Sequence, residues 1–220
     1  CKLMPNPAEG NPPPFMKGEG AKMELVEVSP DSERHVLAHV FKIVNDPFRG
    51  KLGIFRIHQG TITPDSQLLI GDARKAFKVS HLYRLQGKDQ IEMERGIPGD
   101  ICAVARVDDV YFDAVLHDSH DEDHHHLRSI ECPVTLYGLA VRTQKRGDEQ
   151  KLSEALQKLQ SEDPCFHVEH NATANETIMR GLGELHMQVI LEQLAERFNV
   201  QVDTHPPSIS YRETITRPAE

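Results

Sequence analysis

The chain has 220 residues, which is enough for one large domain or two small ones. Hydrophobic residues make up 38% and charged residues 27%, a balance typical of folded globular proteins rather than disordered ones. The formal net charge of -9 argues against binding polyanions through overall charge, so a nucleic-acid surface would have to be a local basic patch. No apolar run reaches the ~18 residues of a membrane-spanning helix, and we expect no membrane partner.

Residues 1–23 are predicted to be an extended linker, because they are dense in proline and glycine. Residues 24–128 are predicted to form a β-barrel domain, since short β-branched and aromatic runs alternate there with turn signals. The runs are Val36–Phe41, Leu52–Ile57, Gln67–Ile70, Phe77–Val79 and Ile101–Ala105.

Residues 129–205 carry a different pattern, which predicts an α+β ferredoxin-like sandwich. Two amphipathic helices are expected, one from Asp148, as N-cap, to Glu162 and one over Glu184–Phe198. With the predicted strands, the order is βαββαβ. Those strands are Val134–Val141, Phe166–Val168, Thr177–Met179 and Val200–Val202. Residues 206–220 would open a further domain, and both chain ends suggest a piece of a longer protein.

The stretch His117–His126 is dense in histidine and acidic residues, and we interpret it as a solvated loop. Imidazoles and carboxylates also ligate zinc or nickel, so a metal-binding interaction protein is an alternative function from another class. The four cysteines are widely spaced without a C-x-x-C pair. This spacing favours reduced thiols in a cytoplasmic protein over a disulfide framework or a zinc site.

Basic residues cluster on the predicted hairpins of the barrel. Because alternate residues of a strand share a face, several of them are predicted to form a patch that contacts RNA phosphates. The scarcity of aromatic residues, 5%, favours recognition of an RNA backbone over base stacking. The candidates are Arg49, Lys51, Arg56, Arg84 and Lys88.

No motif of catalysis or nucleotide binding is present: the sequence lacks a Walker-type loop, a G-x-S-x-G elbow and an H-E-x-x-H helix. We therefore predict no catalytic residue, no metal and no cofactor for this chain. Gly181-Leu182-Gly183 opens the second helix, where it serves either tight strand-to-helix packing or an anion at the helix terminus.

Several motifs resemble those of elongation factor G, in order and over nearly the whole chain. Asn45–Leu52 resembles its "DP-x-x-G-K-L" turn, and Glu94–Ile101 resembles its "AGDI" loop. Lys151–Phe166 is similar to "KLSQALxxLxxEDPTF", with Cys165 in place of the threonine. The stretch Gly181–His186 resembles "GMGELHLE", and Tyr211–Ile215 resembles "YRETI"; Leu3–Pro7 is similar to the "LPSP" that leaves the GTP-binding domain.

The resemblance implies domains II and III of a translational GTPase, with GTP and Mg²⁺ held by a GTP-binding domain elsewhere in the parent. Domain II then contacts small-subunit ribosomal RNA and protein, and domain III relays the nucleotide state between the GTP-binding domain and domain IV. It also implies a fusidic acid pocket or interdomain contact at Asp163, Phe166, Gly183 and His186. The histidine-rich loop departs from the family pattern. We expect a monomeric chain.

Other ribosomal GTPases share these two domains, so they remain alternatives within the same class. They are tetracycline ribosomal protection proteins, release-factor recyclers and recycling-only paralogues of elongation factor G.

Overall fold

The computed structural model describes residues 7, 14–18, 22–87, 89–128 and 131–209. The chain divides into two compact units, Cys1–Glu131 and Cys132–Glu220, which we call the barrel unit and the sandwich unit. The predicted domain bounds of 24–128 and 129–205 stay predictions, and the predicted start of a further domain falls largely outside the described residues. Neither helix of the described ranges is long and apolar enough to cross a membrane.

The barrel unit is built on an eight-stranded antiparallel sheet. Its strands are β3 Leu37–Asp46, β4 Gly50–Gln59, β5 Gln67–Ile70, β6 Phe77–Lys78, β7 Leu82–Gln86, β8 Asp89–Met93, β9 Ile101–Ala105 and β10 Val115–His117. They pair in the order β6-β5-β10-β3-β4-β9-β7-β8. The sheet curls into a half-barrel around an apolar core that includes Phe55, Ile57 and Leu82. A bridge between Ile62 and Gly96 ties the chain ahead of β5 to the chain ahead of β9.

A tight turn joins β3 to β4 at the motif Asp46–Gly50. One carboxylate oxygen of Asp46 accepts hydrogen bonds from the backbone N–H groups of Arg49 and Phe48, both at 2.8 Å. These bonds favour the ionised carboxylate and lower the pKa of Asp46, with the bond from Arg49 the larger cause. Gly50 closes the turn at φ +74°, a conformation that suits glycine.

A second, three-stranded sheet lies in the same unit, with β1 Phe15–Lys17 between β2 Glu24–Val26 and β11 His125–Leu127. Phe15 is fully buried against Val28, Leu37 and Val115. The prediction that residues 1–23 are all linker is therefore wrong at β1. Proline and glycine content predicts an extended backbone there, but it does not show that one phenylalanine finds an apolar surface.

The sandwich unit has the predicted order: β12 Tyr137–Thr143, α1 Glu149–Glu162, β13 His167–Asn171, β14 Glu176–Gly181, α2 Glu184–Phe198 and β15 Val202–His205. Its antiparallel sheet has the order β13-β14-β12-β15. Both helices bury their predicted stripes in one core around Leu159, Phe166 and Met187. The predicted fold class, a β-barrel domain followed by a ferredoxin-like sandwich, is confirmed, with the barrel present as a half-barrel sheet.

The predicted N-cap position of Asp148 on α1 is confirmed, although its side chain makes no capping hydrogen bond. Two strand predictions in this unit were wrong. The apolar run from Val134 enters a strand only at Tyr137, where pairing with Gly181 begins, and Val134 itself is exposed. Val200 is buried against the end of α2 instead of joining β15, because its backbone N–H returns to the Leu194 carbonyl.

Candidate functional site

In the sandwich unit, a hydrogen-bonded pair joins the end of α1 to the start of α2. Asp163 is the C-cap of α1, and its Oδ2 lies 2.9 Å from His186 Nε2 in the first turn of α2. The other ring nitrogen, Nδ1, accepts the backbone N–H of Leu182 at 3.1 Å. Because a backbone N–H only donates, the imidazole proton sits on Nε2 and is donated to Asp163. The Nε2 bond thus holds the start of α2 to the end of α1, and the Nδ1 bond fixes the turn that leads into α2.

The turn after α1 is fixed by the same aspartate. Asp163 Oδ1 accepts the backbone N–H of Cys165 at 2.7 Å, and the Asp163 carbonyl accepts that of Phe166 at 3.2 Å. The ring of Phe166 is fully buried and meets the edge of His186, with ring centroids 6.4 Å apart. The structure therefore brings together three of the four residues that the resemblance singled out here.

The fourth candidate, Gly183, is not packed against this cluster. A Cβ atom added at Gly183 would meet nothing within 4 Å, and its φ of 179° is open to any residue. Gly181 is the tightly packed glycine: an added Cβ would lie 2.3 Å from Met187 Cε and 2.8 Å from His186 Nδ1. Strand-to-helix packing, one of the two interpretations of this motif, is thus provided by Gly181.

The α2 helix also presents an apolar surface to solvent next to this cluster. Leu182, Leu185 and Val189 are 45%, 73% and 42% exposed. Leu185 and Val189 are about one helical turn apart, so they lie on one face of α2. Leu182 lies just before the helix, three residues ahead of Leu185. Exposed apolar groups that adjoin each other mark a surface suited to contact with another protein surface.

The basic candidates of the barrel unit fall on two different faces of the sheet. Arg56 on β4 pairs with Ile101 on β9, whereas Arg84 on β7 pairs with Cys102, the next residue of β9. Side chains of paired residues lie on the same face, whereas consecutive residues of one strand point to opposite faces, so the side chains of Arg56 and Arg84 leave the sheet on opposite faces. Ile101 is 49% exposed and Cys102 is fully buried. Arg56 therefore lies on the outer face, and the backbone of β7 directs Arg84 to the inner face.

Two other basic candidates are engaged within the unit, and one cannot be placed. The Arg49 guanidinium stacks over the Tyr83 ring at 4.3 Å, close enough for a cation–π contact. Lys51 Nζ donates to the Asp108 carbonyl at 2.8 Å, and burial lowers the pKa of this lysine. Lys88 lies outside the described residues. The described candidates thus lie on more than one face of the sheet, and their contact with RNA stays a prediction.

The histidine-rich stretch is partly buried in the barrel unit and partly exposed. It contains the end of β10, a 3₁₀ turn at His120–Glu122 and the start of β11. His117 is 1% exposed, with Nε2 2.6 Å from the Gly71 carbonyl and Nδ1 2.8 Å from the Ser119 carbonyl. His125 is buried too. The solvated-loop prediction is wrong at these positions, since the imidazole nitrogens face backbone oxygens instead of water.

This stretch does not assemble the ligand set that the metal-binding alternative requires. Within the described ranges, no group of three or more histidine, cysteine and acidic side chains is arranged to hold a metal ion. The ring of His117 is already occupied by two carbonyl oxygens. The described geometry gives a structural role to the buried histidines.

Two family models match the chain in sequence. The model of elongation factor G domain 2 matches residues 35–113, and that of elongation factor G, domain III, matches residues 132–206. Together they cover most of the half-barrel sheet and the whole βαββαβ sandwich.

Curated relatives and a solved structure agree with these matches. The chain is 34% identical to elongation factor G of Rhodopirellula baltica over 89% of its length, and 30% identical to that of Amoebophilus asiaticus over its full length. It spans only 28% and 30% of those two relatives. A crystal structure of a protein from Thermus thermophilus matches 80% of the chain and 26% of its own, with a TM-score of 0.69 and 29% identity.

Proposed function

Because this chain belongs to the elongation factor G family and carries its domains II and III, we propose that it docks a GTP-hydrolysing translation factor on the ribosome. In this proposal the chain also couples the nucleotide state of that factor to the translocation of tRNA and mRNA. The observation that carries the proposal is the match of both domain models, in order, along one chain. In this proposal GTP and Mg²⁺ bind to a separate domain of a cytoplasmic parent protein. The barrel unit contacts small-subunit ribosomal RNA and protein, and the sandwich unit contacts the GTP-binding domain and domain IV.

A direct test of this division of labour is nucleotide binding. We expect isothermal titration of GTP into the 220-residue chain to release no binding heat. Micromolar affinity would contradict the assignment of the nucleotide site to another domain. A full-length parent that carries the upstream coding sequence is the positive control.

For RNA contact, the outer face of the barrel unit is the better candidate surface. Arg56 is exposed there at the centre of β4, so its guanidinium is available for a phosphate. Arg84 is exposed as well, but it starts on the other face of the sheet, beside the buried Cys102. The two residues therefore form a matched pair: each substitution by alanine removes one exposed positive charge, and only Arg56 lies on the proposed surface.

The pair sets up a ribosome-binding experiment. The wild-type chain, Arg56→Ala and Arg84→Ala are sedimented with small ribosomal subunits between about 50 and 200 mM salt. We expect Arg56→Ala to weaken binding and to lower the slope of log affinity against log salt by about 1, as for one lost phosphate contact. Arg84→Ala is expected to match the wild type. Equal losses for both variants would contradict docking through the outer face.

For coupling, the exposed apolar face of α2 is proposed to pack against the GTP-binding domain of the parent. The Asp163–His186 bond fixes the start of that helix against the end of α1, so a displacement at the face would be transmitted to both helices. The mechanism needs an interface with two packing states, biased by the bound nucleotide.

The full-length parent tests the coupling role. Leu185→Asp places a charge in the centre of the apolar face, and Gln157→Asp places the same charge on the exposed side of α1. We expect Leu185→Asp to lose ribosome-stimulated GTP turnover while retaining GTP binding, and Gln157→Asp to keep both. Normal turnover by Leu185→Asp would contradict the proposed interface.

A further inference from the structure

Two cysteine side chains meet in the sandwich unit, although they lie far apart in the sequence. Cys132 is exposed ahead of β12, and Cys165 lies in the turn that follows α1. Their thiols are hydrogen-bonded to each other, and both are in the reduced form. We propose that Cys132 and Cys165 are a redox pair that closes to a reversible disulfide when the protein meets a hydroperoxide.

The turn that carries Cys165 holds this side chain in a defined position. The backbone N–H of Cys165 is bound by Asp163 Oδ1 at 2.7 Å, and the next residue, Phe166, is anchored in the core. Cys132, in contrast, lies in an exposed segment without regular secondary structure. A disulfide needs its two sulfur atoms to approach to about 2 Å with a defined dihedral angle. The segment of Cys132 can make that adjustment, because no strand or helix fixes its backbone.

The surroundings of the thiols divide the chemistry between them. Burial raises the pKa of Cys165, and the hydrogen bond with Cys132 raises it further. Cys132 is the more exposed of the two thiols, so a peroxide in solution reaches its sulfur first. Its sulfur bonds to the terminal oxygen of the hydroperoxide and the O–O bond breaks. The other oxygen leaves with the Cys132 proton, so the products are a sulfenic acid and an alcohol, or water when the oxidant is hydrogen peroxide.

The second step closes the disulfide. The Cys165 sulfur attacks the Cys132 sulfur, the S–O bond breaks, and the hydroxide leaves as water with the Cys165 proton. In total two thiols are oxidised by two electrons, and one hydroperoxide is reduced. The new bond would tie the segment before β12 to the turn whose Asp163 holds His186. This redox chemistry is independent of the proposed role on the ribosome.

Peptide mapping by mass spectrometry tests the proposal. The 220-residue chain with Cys1→Ser, which removes a thiol outside the described residues, is treated with hydrogen peroxide and digested without reduction. We expect a peptide pair linked by Cys132 and Cys165, and its loss on addition of a reductant. Cys102 serves as an internal control, since it is fully buried and burial raises its pKa to about 12.

Two variants separate the pair from general thiol oxidation. Cys165→Thr, which restores the residue of the family motif, and Cys132→Ser at the exposed position each remove one partner. We expect both variants to form no intramolecular link. The proposal is overturned if peroxide leaves Cys132 only as a sulfinic acid, or if it links Cys132 to Cys102 or between two chains. Because Cys132 is exposed, its variant provides a folded comparison even if Cys165→Thr is unstable.

Discussion

The packing of Gly181 gives the sharpest prediction on the stability of the sandwich unit. In Gly181→Ala, the added methyl group would lie 2.3 Å from Met187 Cε and 2.8 Å from His186 Nδ1. Ordinary carbon contacts are about 3.5–4.0 Å, so the Met187 tip must move by about 1 Å within a buried core. The imidazole must move as well, which breaks its bond with the Leu182 N–H.

These displacements set the expected magnitude. Overpacking of a core costs about 1–3 kcal/mol, and the lost hydrogen bond adds about 0.5–1.5 kcal/mol. The replacement of glycine by alanine restricts the unfolded chain and returns about 0.4–1 kcal/mol. We therefore expect Gly181→Ala to lower the free energy of unfolding by about 0.5–4 kcal/mol, with the loss arising at Met187 and His186.

Gly183→Ala is the matched control, because nothing lies within 4 Å of its added Cβ atom. We expect its free energy of unfolding to differ from the wild type by less than about 1 kcal/mol, the range of an N-cap change. Urea unfolding followed by helical circular dichroism measures the sandwich unit, since α1 and α2 both belong to it. If Gly183→Ala is as unstable as Gly181→Ala, the packing account of this motif is wrong.

Three further predictions concern stability. Phe166→Ala removes a fully buried ring and should cost about 3–5 kcal/mol in urea unfolding, whereas an exposed substitution such as Gln157→Ala should cost little. Hydrogen bonds from Ser208 and His205 lower the pKa of Glu176 from 4.5 to about 2, so its stabilisation is present above pH 4.5 and is lost as the pH falls towards 2. Glu176→Gln should flatten the pH dependence of unfolding in that window; an unchanged slope would contradict the assignment. Burial lowers the pKa of His58 from 6.5 to about 4, so the unfolded chain binds more protons between these values and stability falls as the pH drops from 6.5 to 4. His58→Gln should reduce that fall in thermal unfolding, and a steeper fall would refute it.

The sequence by itself determined the sandwich and the family. The stripes of α1 and α2 recur every three to four residues, and both helices end at the predicted residues. The order βαββαβ followed from those helices and left few alternatives for the fold. The short motifs from Asn45 to His186 identified elongation factor G without any structure.

Strand pairing was predicted less completely. The runs Gln67–Ile70 and Ile101–Ala105 coincide with β5 and β9, because each is bounded by turn residues. The hairpin of β7 and β8 was not assigned, since its exposed polar positions hide the alternation of the strand. A strand is stabilised by neighbours that are distant in sequence, so its pattern alone is a weaker signal than that of a helix.

Only the tertiary structure decided which polar residues are buried and which residues meet. Composition predicts that His117 is solvated, but backbone carbonyl oxygens face both of its ring nitrogens. Charge predicts a patch formed by several of the basic residues, and the register of β9 places two of them, Arg56 and Arg84, on opposite faces. The bond of Asp163 with His186 and the meeting of the two thiols likewise depend on how the chain returns on itself. Periodicity reports local geometry, whereas these contacts arise from long-range pairing, which a single sequence does not encode in any short pattern.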